Sequence, residues 1–145
     1  MDIDLPEVVA EVRAAFDRYE KALGDNDLAT LNATFWNDPR TIRYGGTEIL
    51  YGYAEIEAFR TARVPPGART ISRTVISTYG RDYAVASTLF HRPNMPGKVG
   101  RQMQTWVRFP QGWRVVAAHV SVIDEVKVSV FPSGPTGSGP QWRAR

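Results

Sequence analysis

Residues 100–123 read GRQMQTWVRFPQGWRVVAAHVSVI. Aromatic and β-branched residues are frequent on both sides of Gln111-Gly112, a pair that favours a tight turn between antiparallel strands. We therefore predict a hairpin of two long strands, residues 100–109 and 113–123. A hairpin with an apolar face requires other elements to cover that face.

Two more strands are predicted before this hairpin. Residues 69–79 alternate in polarity and are rich in Thr, Ile and Val. Residues 83–92 continue the pattern after the turn Gly80-Arg81-Asp82. Residues 93–97 form a loop that leads into the hairpin. Four consecutive strands with short connections predict an antiparallel sheet.

The N-terminal part of the chain has the spacing of helices. Apolar residues recur every three or four positions from Val8 to Leu23, which predicts a long amphipathic helix that ends near Gly24. Asp4 and Glu7 have the spacing of a capping box at the start of this helix.

Two further helices and a short strand follow before the sheet. The second helix begins after the cap residues Asp25-Asn26-Asp27 and ends before Pro39. Residues 41–44 form a short strand that turns at Gly45-Gly46, and residues 53–63 form the third helix. Helices first and a meander afterwards predict an α+β fold, with N-terminal helices packed into a strongly curved antiparallel sheet.

Length and charge limit the organisation of the chain. The 145 residues fit one domain, to which we assign residues 1–130. Residues 131–145 contain the run PSGPTGSGP, which predicts a flexible C-terminal tail. The net charge is +3 and the basic residues form no block, so the sequence does not indicate nucleic-acid binding.

Residue usage also narrows the chemistry. The chain has no cysteine and only two histidines, and it contains none of the common metal, phosphate-loop or dinucleotide motifs. We therefore predict no metal and no cofactor. The start of the chain is acidic, unlike a secretory signal, and no apolar run is long enough for a membrane span. We expect a cytoplasmic protein without membrane contact.

A two-residue turn at Gln111-Gly112 would fix the register of the hairpin. Trp106 would then pair with Ala117, Gln104 with His119, and Gln102 with Ser121, all on one face. The opposite face would be apolar, with Met103, Val107, Phe109, Val116, Ala118 and Val120. The polar face is either solvated or the wall of a pocket, and a slip of one residue would reverse the assignment.

Two side chains are expected on the inner side of the fold. Tyr19 lies on the apolar stripe of the first helix, where a tyrosine is either a core residue or part of a site. Arg43 lies between Ile42 and Tyr44 and would face the helices, with no obvious acidic partner nearby in sequence. A buried guanidinium needs a counter-charge, and a ligand carboxylate could provide it through two parallel N–H bonds.

At these residues the chain resembles the AtzH/HpxZ-like family of the SnoaL-type superfamily. The resemblance covers roughly residues 5–125, as several segments agree in order and spacing. These segments are FDRYEKAL at 16–23, FWNDPRTIRYG at 35–45, YGY at 51–53, TVISTYGRD at 74–82, GRQMQTWV at 100–107 and GWRVVAAHVS at 112–121. The fold that the resemblance implies is the cystatin-like or SnoaL-like cone also found in nuclear transport factor.

The resemblance also implies an activity and its residues. Family members are encoded beside amidase subunits in clusters that catabolise nitrogen compounds such as cyanuric acid and oxalurate. The implied reaction is a decarboxylating amidohydrolysis of 1,3-dicarboxyurea to allophanate, without a cofactor. The family's catalytic tyrosine on the first helix and arginine on the first strand match Tyr19 and Arg43.

The remaining expectations concern the substrate pocket and the partners. Trp36, Gln104, His119 and Ser121 are the candidates for the substrate-binding wall. We expect a small anionic substrate, a homodimer or homotetramer, and an association with an amidase and its small subunit. Two other functions stay open: a non-catalytic accessory protein of an amidase complex, and another isomerase, cyclase or hydrolase. An isomerase, cyclase or hydrolase of this kind usually needs a carboxylate base, and the predicted polar face has no acidic residue.

Overall fold

The computed structural model describes residues 1–125, so the predicted tail at 131–145 and the domain end at 130 lie outside the described residues. The three predicted helices are present, and their bounds are α1 Pro6–Asp25, α2 Leu28–Thr34 and α3 Tyr53–Ala62. The buried positions of α1 follow the predicted apolar stripe from Val8 to Leu23. Amphipathic spacing was therefore sufficient to locate the helices.

The start of α1 differs from the prediction. Leu5 occupies the N-cap position without a side-chain hydrogen bond, while the Asp4 carboxylate accepts from the backbone N–H of Thr78. The N-terminus is therefore tied to the sheet instead of capping the helix. The helix ends near Gly24 as predicted: its last residue is Asp25, and Asn26 follows as the C-cap in the left-handed conformation. Asp27 caps α2 as predicted, because its side chain accepts from the N–H of Thr30.

Six strands form one sheet. Their bounds are β1 Ile42–Tyr44, β2 Ile49–Tyr51, β3 Thr70–Tyr79, β4 Tyr83–His91, β5 Lys98–Phe109 and β6 Gly112–Asp124. The order across the sheet is β2-β1-β6-β5-β4-β3, and all neighbours are antiparallel except β1 and β6. The α+β class is as predicted. Strand β2 was not predicted, because three residues are too few for a readable alternation.

The predicted register of the last hairpin is wrong. Phe109 pairs with Gly112, so the turn is Pro110-Gln111, one residue earlier than expected. The ladder then shifts between Thr105 and Trp106, which leaves Val116 as an extra residue on β6. Beyond this bulge Gln104 pairs with Ala118, and not with His119.

The helices pack against one side of the sheet, which we call the inner face, and leave the other side as the outer face. The core lies between α1, α2 and the inner face. Its fully buried members include Phe16, Phe35, Ile56, Trp106 and Val115. Bulky side chains from three helices and two strands therefore meet at one centre and hold the helices against the sheet.

Candidate functional site

Tyr19 lies at the centre of the buried stripe of α1. Only 4% of its surface is exposed, and its ring lies 6.1 Å from the ring of Phe35, at the end of α2. The stripe is apolar because α1 packs against the core, so a tyrosine here brings a hydroxyl into an apolar layer. A buried hydroxyl of this kind needs a hydrogen-bonding partner.

Arg43 reaches the same layer from the sheet. It pairs with Leu50 on β2 and Ala118 on β6, and its guanidinium carbon lies 5.7 Å from the centre of the Phe59 ring of α3. Arg43 therefore faces the helices, as the alternation of β1 predicted, and it is 8% exposed.

Arg43 has an acidic partner, contrary to the prediction. Its Nη1 donates to Oε1 of Glu48 over 2.6 Å, and the Glu48 side chain is 14% exposed. Glu48 folds back over Gly45, where a Cβ would lie 1.6 Å from that same oxygen. Burial raises the pKa of Glu48, but hydrogen bonds from Arg43 and Thr47 outweigh it, so the pKa lies below its usual value.

Arg60, on α3, was not singled out from the sequence. It is 2% exposed, and its guanidinium lies 4.2 Å from the centre of the Phe35 ring. Nη1 donates to the carbonyl oxygen of Leu31 and to Oδ1 of Asn32 over 3.3 and 3.4 Å. Among the described residues, Nε and Nη2 have no hydrogen-bond partner. Burial lowers the pKa of Arg60, and the neighbouring Tyr19 side chain partly offsets this effect.

Arg63 follows at the end of α3. Its guanidinium lies 5.6 Å from the centre of the Phe59 ring, the same ring that Arg43 approaches. Its Nε is buried and has no partner among residues 1–125. Burial lowers the pKa of Arg63, and Arg43 and Arg60 add to this effect as nearby positive charges.

We call Tyr19, Arg43, Arg60 and Arg63 the arginine cluster. Guanidinium groups stay protonated in proteins, so the three arginines carry three positive charges, and Glu48 contributes one negative charge. Two positive charges therefore lack a counter-ion within the cluster. The environment favours a bound anion, because buried charges are costly unless they are paired.

A second ion pair borders the cluster. Arg69 donates from Nε and Nη2 to the two carboxylate oxygens of Glu20, the residue after Tyr19, and also to Oε1 of Gln102 over 3.0 Å. This pair is neutral overall. Arg92 adds positive charge beyond it, with Nη1 bound to the carbonyl oxygens of Pro66 and Gly67. The surroundings therefore do not neutralise the cluster.

One of the four predicted wall residues lies on the inner face. Gln104 is 1% exposed and pairs with Ala118, the neighbour of Arg43 across β6, so Arg43, Ala118 and Gln104 form one row. Its Oε1 accepts from the indole N–H of Trp106 over 3.2 Å. Ala118, expected on the apolar opposite face, lies on the inner face with Gln104.

The other three predicted wall residues are not brought to the cluster. His119 pairs with the exposed Met103 and packs edge-on against Tyr44, on the outer face. Ser121 accepts from Nε of Arg101 on the same face. Trp36 stacks on Phe109 at a ring distance of 4.9 Å, away from Tyr19. The bulge at Val116 reversed the faces of His119 and Ser121 relative to the prediction.

Two negative findings apply to residues 1–125. No group of three or more His, Asp or Glu side chains lies close enough together to hold a metal ion. No helix in this part of the chain is both long and apolar enough to cross a membrane.

Comparison with protein families gives a match over most of the chain. A sequence model of the AtzH-like family matches residues 1–126. The chain belongs to the AtzH-like family. The match includes every residue of the arginine cluster and ends where the described structure ends. Among functionally curated proteins, no significant match was found.

Solved structures share the fold of the AtzH-like chain. A protein of unknown function from Pectobacterium atrosepticum is 56% identical, with a TM-score of 0.82 over 85% of this chain and 96% of that one. A cystatin-like fold protein from Burkholderia xenovorans is 46% identical, with a TM-score of 0.84 over 87% and 99%. A nuclear transport factor 2-like protein from Salmonella enterica is 24% identical, with a TM-score of 0.67 over 84% and 95%, a likeness of fold alone. The cone fold predicted from the resemblance is therefore confirmed.

Proposed function

We propose that this AtzH-like protein is a cofactor-independent decarboxylating amidohydrolase that converts 1,3-dicarboxyurea to allophanate. The observation that carries the proposal is the buried Tyr19 side chain beside Arg60 and Arg63, with Arg43 acting on both; within residues 1–125, Arg43 alone of the three arginines has a protein carboxylate as partner. Such an environment selects a small anion and places a proton donor beside it. The resemblance stated above supplies the identity of that anion.

In the proposed reaction, Arg43 holds one carboxylate of the substrate. Glu48 occupies only Nη1 of Arg43, and this is the one hydrogen bond that the Arg43 side chain makes within residues 1–125. The remaining N–H groups of the guanidinium fork suit a ligand carboxylate. Glu48 would fix the orientation of the fork and lower the cost of burying its charge.

Tyr19 would act as the general acid. The bond between one urea nitrogen and its carboxyl carbon breaks, the nitrogen takes a proton from the Tyr19 hydroxyl, and carbon dioxide leaves. A proton from solvent restores the hydroxyl, so the dianion and one proton give the allophanate monoanion and carbon dioxide. Protonation of nitrogen makes the leaving group neutral, so a positioned acid is sufficient for this step. General acid catalysis typically contributes about 10²- to 10⁴-fold.

The direct test is turnover of the substrate. A carboxybiuret amidase would generate dicarboxyurea in the reaction vessel, and allophanate and carbon dioxide would be followed with and without the AtzH-like protein. We expect faster release of both products than with the amidase alone. Release at the uncatalysed rate, together with a stable complex between the two proteins, would instead support the accessory function.

A further inference from the structure

We infer that Arg60 and Arg63 form a second anion subsite, which makes the arginine cluster selective for a dicarboxylate over a monocarboxylate. The inference rests on the proposed function for the position of the site, and it adds two residues to which neither the resemblance nor the comparisons assign a role. Arg43 would hold one carboxylate from the sheet, and Arg60 with Arg63 would hold the other from α3.

The guanidinium group of Arg60 is incompletely hydrogen-bonded. Its side chain is almost fully buried, yet Nε and Nη2 donate to nothing among residues 1–125, and both bonds of Nη1 are long. An unsatisfied buried donor is costly, and more so when it is charged. Nε and Nη2 lie on one edge of a guanidinium, the edge that binds a carboxylate through two parallel bonds.

Arg63 lies close enough to Arg60 to share a ligand with it. Arg63 follows Arg60 by three residues as the C-cap of α3, and its guanidinium lies 5.6 Å from the centre of the Phe59 ring, which Arg43 also approaches. Burial and the positive charge of Arg43 lower the pKa of both arginines, Arg60 further lowers the pKa of Arg63, and Tyr19 opposes the shift in each case. Two neighbouring positive charges that are largely removed from solvent are costly without a counter-ion, and an anion bound to both would lower that cost.

Arg60 and Arg63 differ from Arg43 in their counter-ions. Arg43 has Glu48 as a counter-ion, whereas Arg60 and Arg63 have no carboxylate partner in the described part of the chain. The two sides of the cluster therefore differ: the sheet side is neutralised, and the α3 side carries two positive charges. A monoanion on Arg43 leaves the α3 side unpaired, while a second carboxylate on the same ligand pairs it.

This arrangement would also favour release of the product. The substrate has two carboxylates and allophanate has one, so decarboxylation removes a group that binds to one of the two subsites. The product would then bind more weakly than the substrate. Loss of the subsite should therefore raise KM for the dianion more than it lowers kcat.

Binding of carbon analogues, used freshly dissolved because β-keto acids slowly lose carbon dioxide in water, tests the inference without turnover of dicarboxyurea. 3-Oxoglutarate has the atom spacing of dicarboxyurea with carbon in place of nitrogen, and acetoacetate is the corresponding analogue of allophanate. Calorimetry on the full chain should show that the wild-type protein binds 3-oxoglutarate at least about tenfold more tightly than acetoacetate. In Arg60→Gln and Arg63→Gln this preference should fall to within about threefold, with little change for acetoacetate.

Matched variants make the result interpretable. Arg13→Gln removes the same charge from an exposed position on α1 and should keep the full preference. If Arg60→Gln does not fold, the half-buried Arg63 still provides the test. Equal affinity of the wild-type protein for the two analogues, no binding of 3-oxoglutarate, or an unchanged preference in both variants would overturn the inference. A clear preference without turnover of dicarboxyurea would instead reject the proposed reaction and leave the subsite intact.

Discussion

The Tyr19 hydroxyl is the single atom on which the proposed reaction depends most. Tyr19→Phe keeps the ring that packs against Phe35 and removes only the proton donor. We predict that kcat falls by on the order of 100-fold or more, while stability changes by about 0.5–1.5 kcal/mol, the value of one neutral hydrogen bond. Steady-state kinetics with melting curves would measure both. The exposed Tyr83→Phe is the control, and near-normal turnover in Tyr19→Phe would leave Tyr19 a core residue.

Arg43 is tested by a change that keeps its charge. Arg43→Lys loses the planar fork of N–H donors, so we predict a rise in KM of about tenfold or more. Because Tyr19 and Arg43 would act on one transition state, the double variant should lose much less than the product of the two single losses. Kinetics on all four proteins form the cycle. Independent, multiplicative losses would contradict a shared site.

The residues that the sequence could and could not predict differ in a physical way. The positions of Tyr19 and Arg43 could be predicted because each lies within a regular element whose period determines its face. The position of Glu48 could not be predicted, because its contact with Arg43 depends on how the turn after β1 folds back over Gly45. Arg60 did give a signal, because it follows the buried Ile56 by four positions, on the apolar stripe of α3. A charged residue on such a stripe indicates a site.

At the level of elements, the β1–β2 connection holds Glu48 against Arg43. A Cβ at Gly45 would overlap the Glu48 carboxylate, while a Cβ at Gly46 would meet no atom within 4 Å. Gly45→Ala should therefore displace Glu48 and cost about 1.5–3 kcal/mol at pH 7, the value of a charged hydrogen bond. Gly46→Ala is the control and should cost little.

The same variant gives a pH dependence with a definite sign. Folding lowers the pKa of Glu48, so the pair stabilises the protein above the unfolded-state pKa of about 4.3 and loses its effect as the pH falls through the folded-state value. Urea unfolding of the wild-type protein and Gly45→Ala between pH 7 and 3.5 should show a difference that narrows below about pH 4. A difference that is independent of pH would mean that Gly45→Ala acts on the backbone alone.

The prediction failed for the register of the hairpin formed by β5 and β6. The alternation of β5 and β6 was correct, but the turn lies at Pro110-Gln111, and Val116 bulges from the ladder. Gly112 has a φ of 118°, a conformation that glycine adopts without strain, so it starts β6 instead of ending the turn. Neither feature has a clear pattern in a single sequence. The earlier turn moves the pairing by two residues and keeps the faces, whereas the bulge moves it by one, which places His119 on the outer face.

At the level of the whole molecule, the proposed chemistry requires only the protein's own side chains. This prediction is based on the composition of the chain, which has no cysteine and two histidines. We predict that turnover of dicarboxyurea after dialysis against EDTA stays within about twofold of the untreated protein, because a positioned acid supplies the proton. Readdition of Mg²⁺, Mn²⁺ and Zn²⁺ in separate assays completes the experiment. Activity that disappears with the chelator and returns with one of these metals would refute the prediction.

The outer face of the sheet leads to a prediction of assembly. Tyr44, Val75, Tyr83 and Met103 are 37%, 56%, 55% and 56% exposed, although strand alternation places them on one face of a continuous sheet. Exposed apolar groups on this scale are typical of an interface, and a sheet face of a second copy is a complementary surface. We therefore predict a homodimer or larger symmetric oligomer that buries about 800 Å² or more on each partner.

One charge at the centre of that face tests the assembly. Met103→Glu would place a carboxylate where two copies meet, and burying an unpaired charge opposes association. We expect light scattering at micromolar concentration to give an oligomeric mass for the wild-type protein and a monomeric mass for Met103→Glu. Val64→Glu introduces the same charge between α3 and β3, at a residue 86% exposed, and should leave the mass unchanged. A monomeric wild-type protein would contradict the prediction, and an oligomeric Met103→Glu variant would place the contact elsewhere on the molecule.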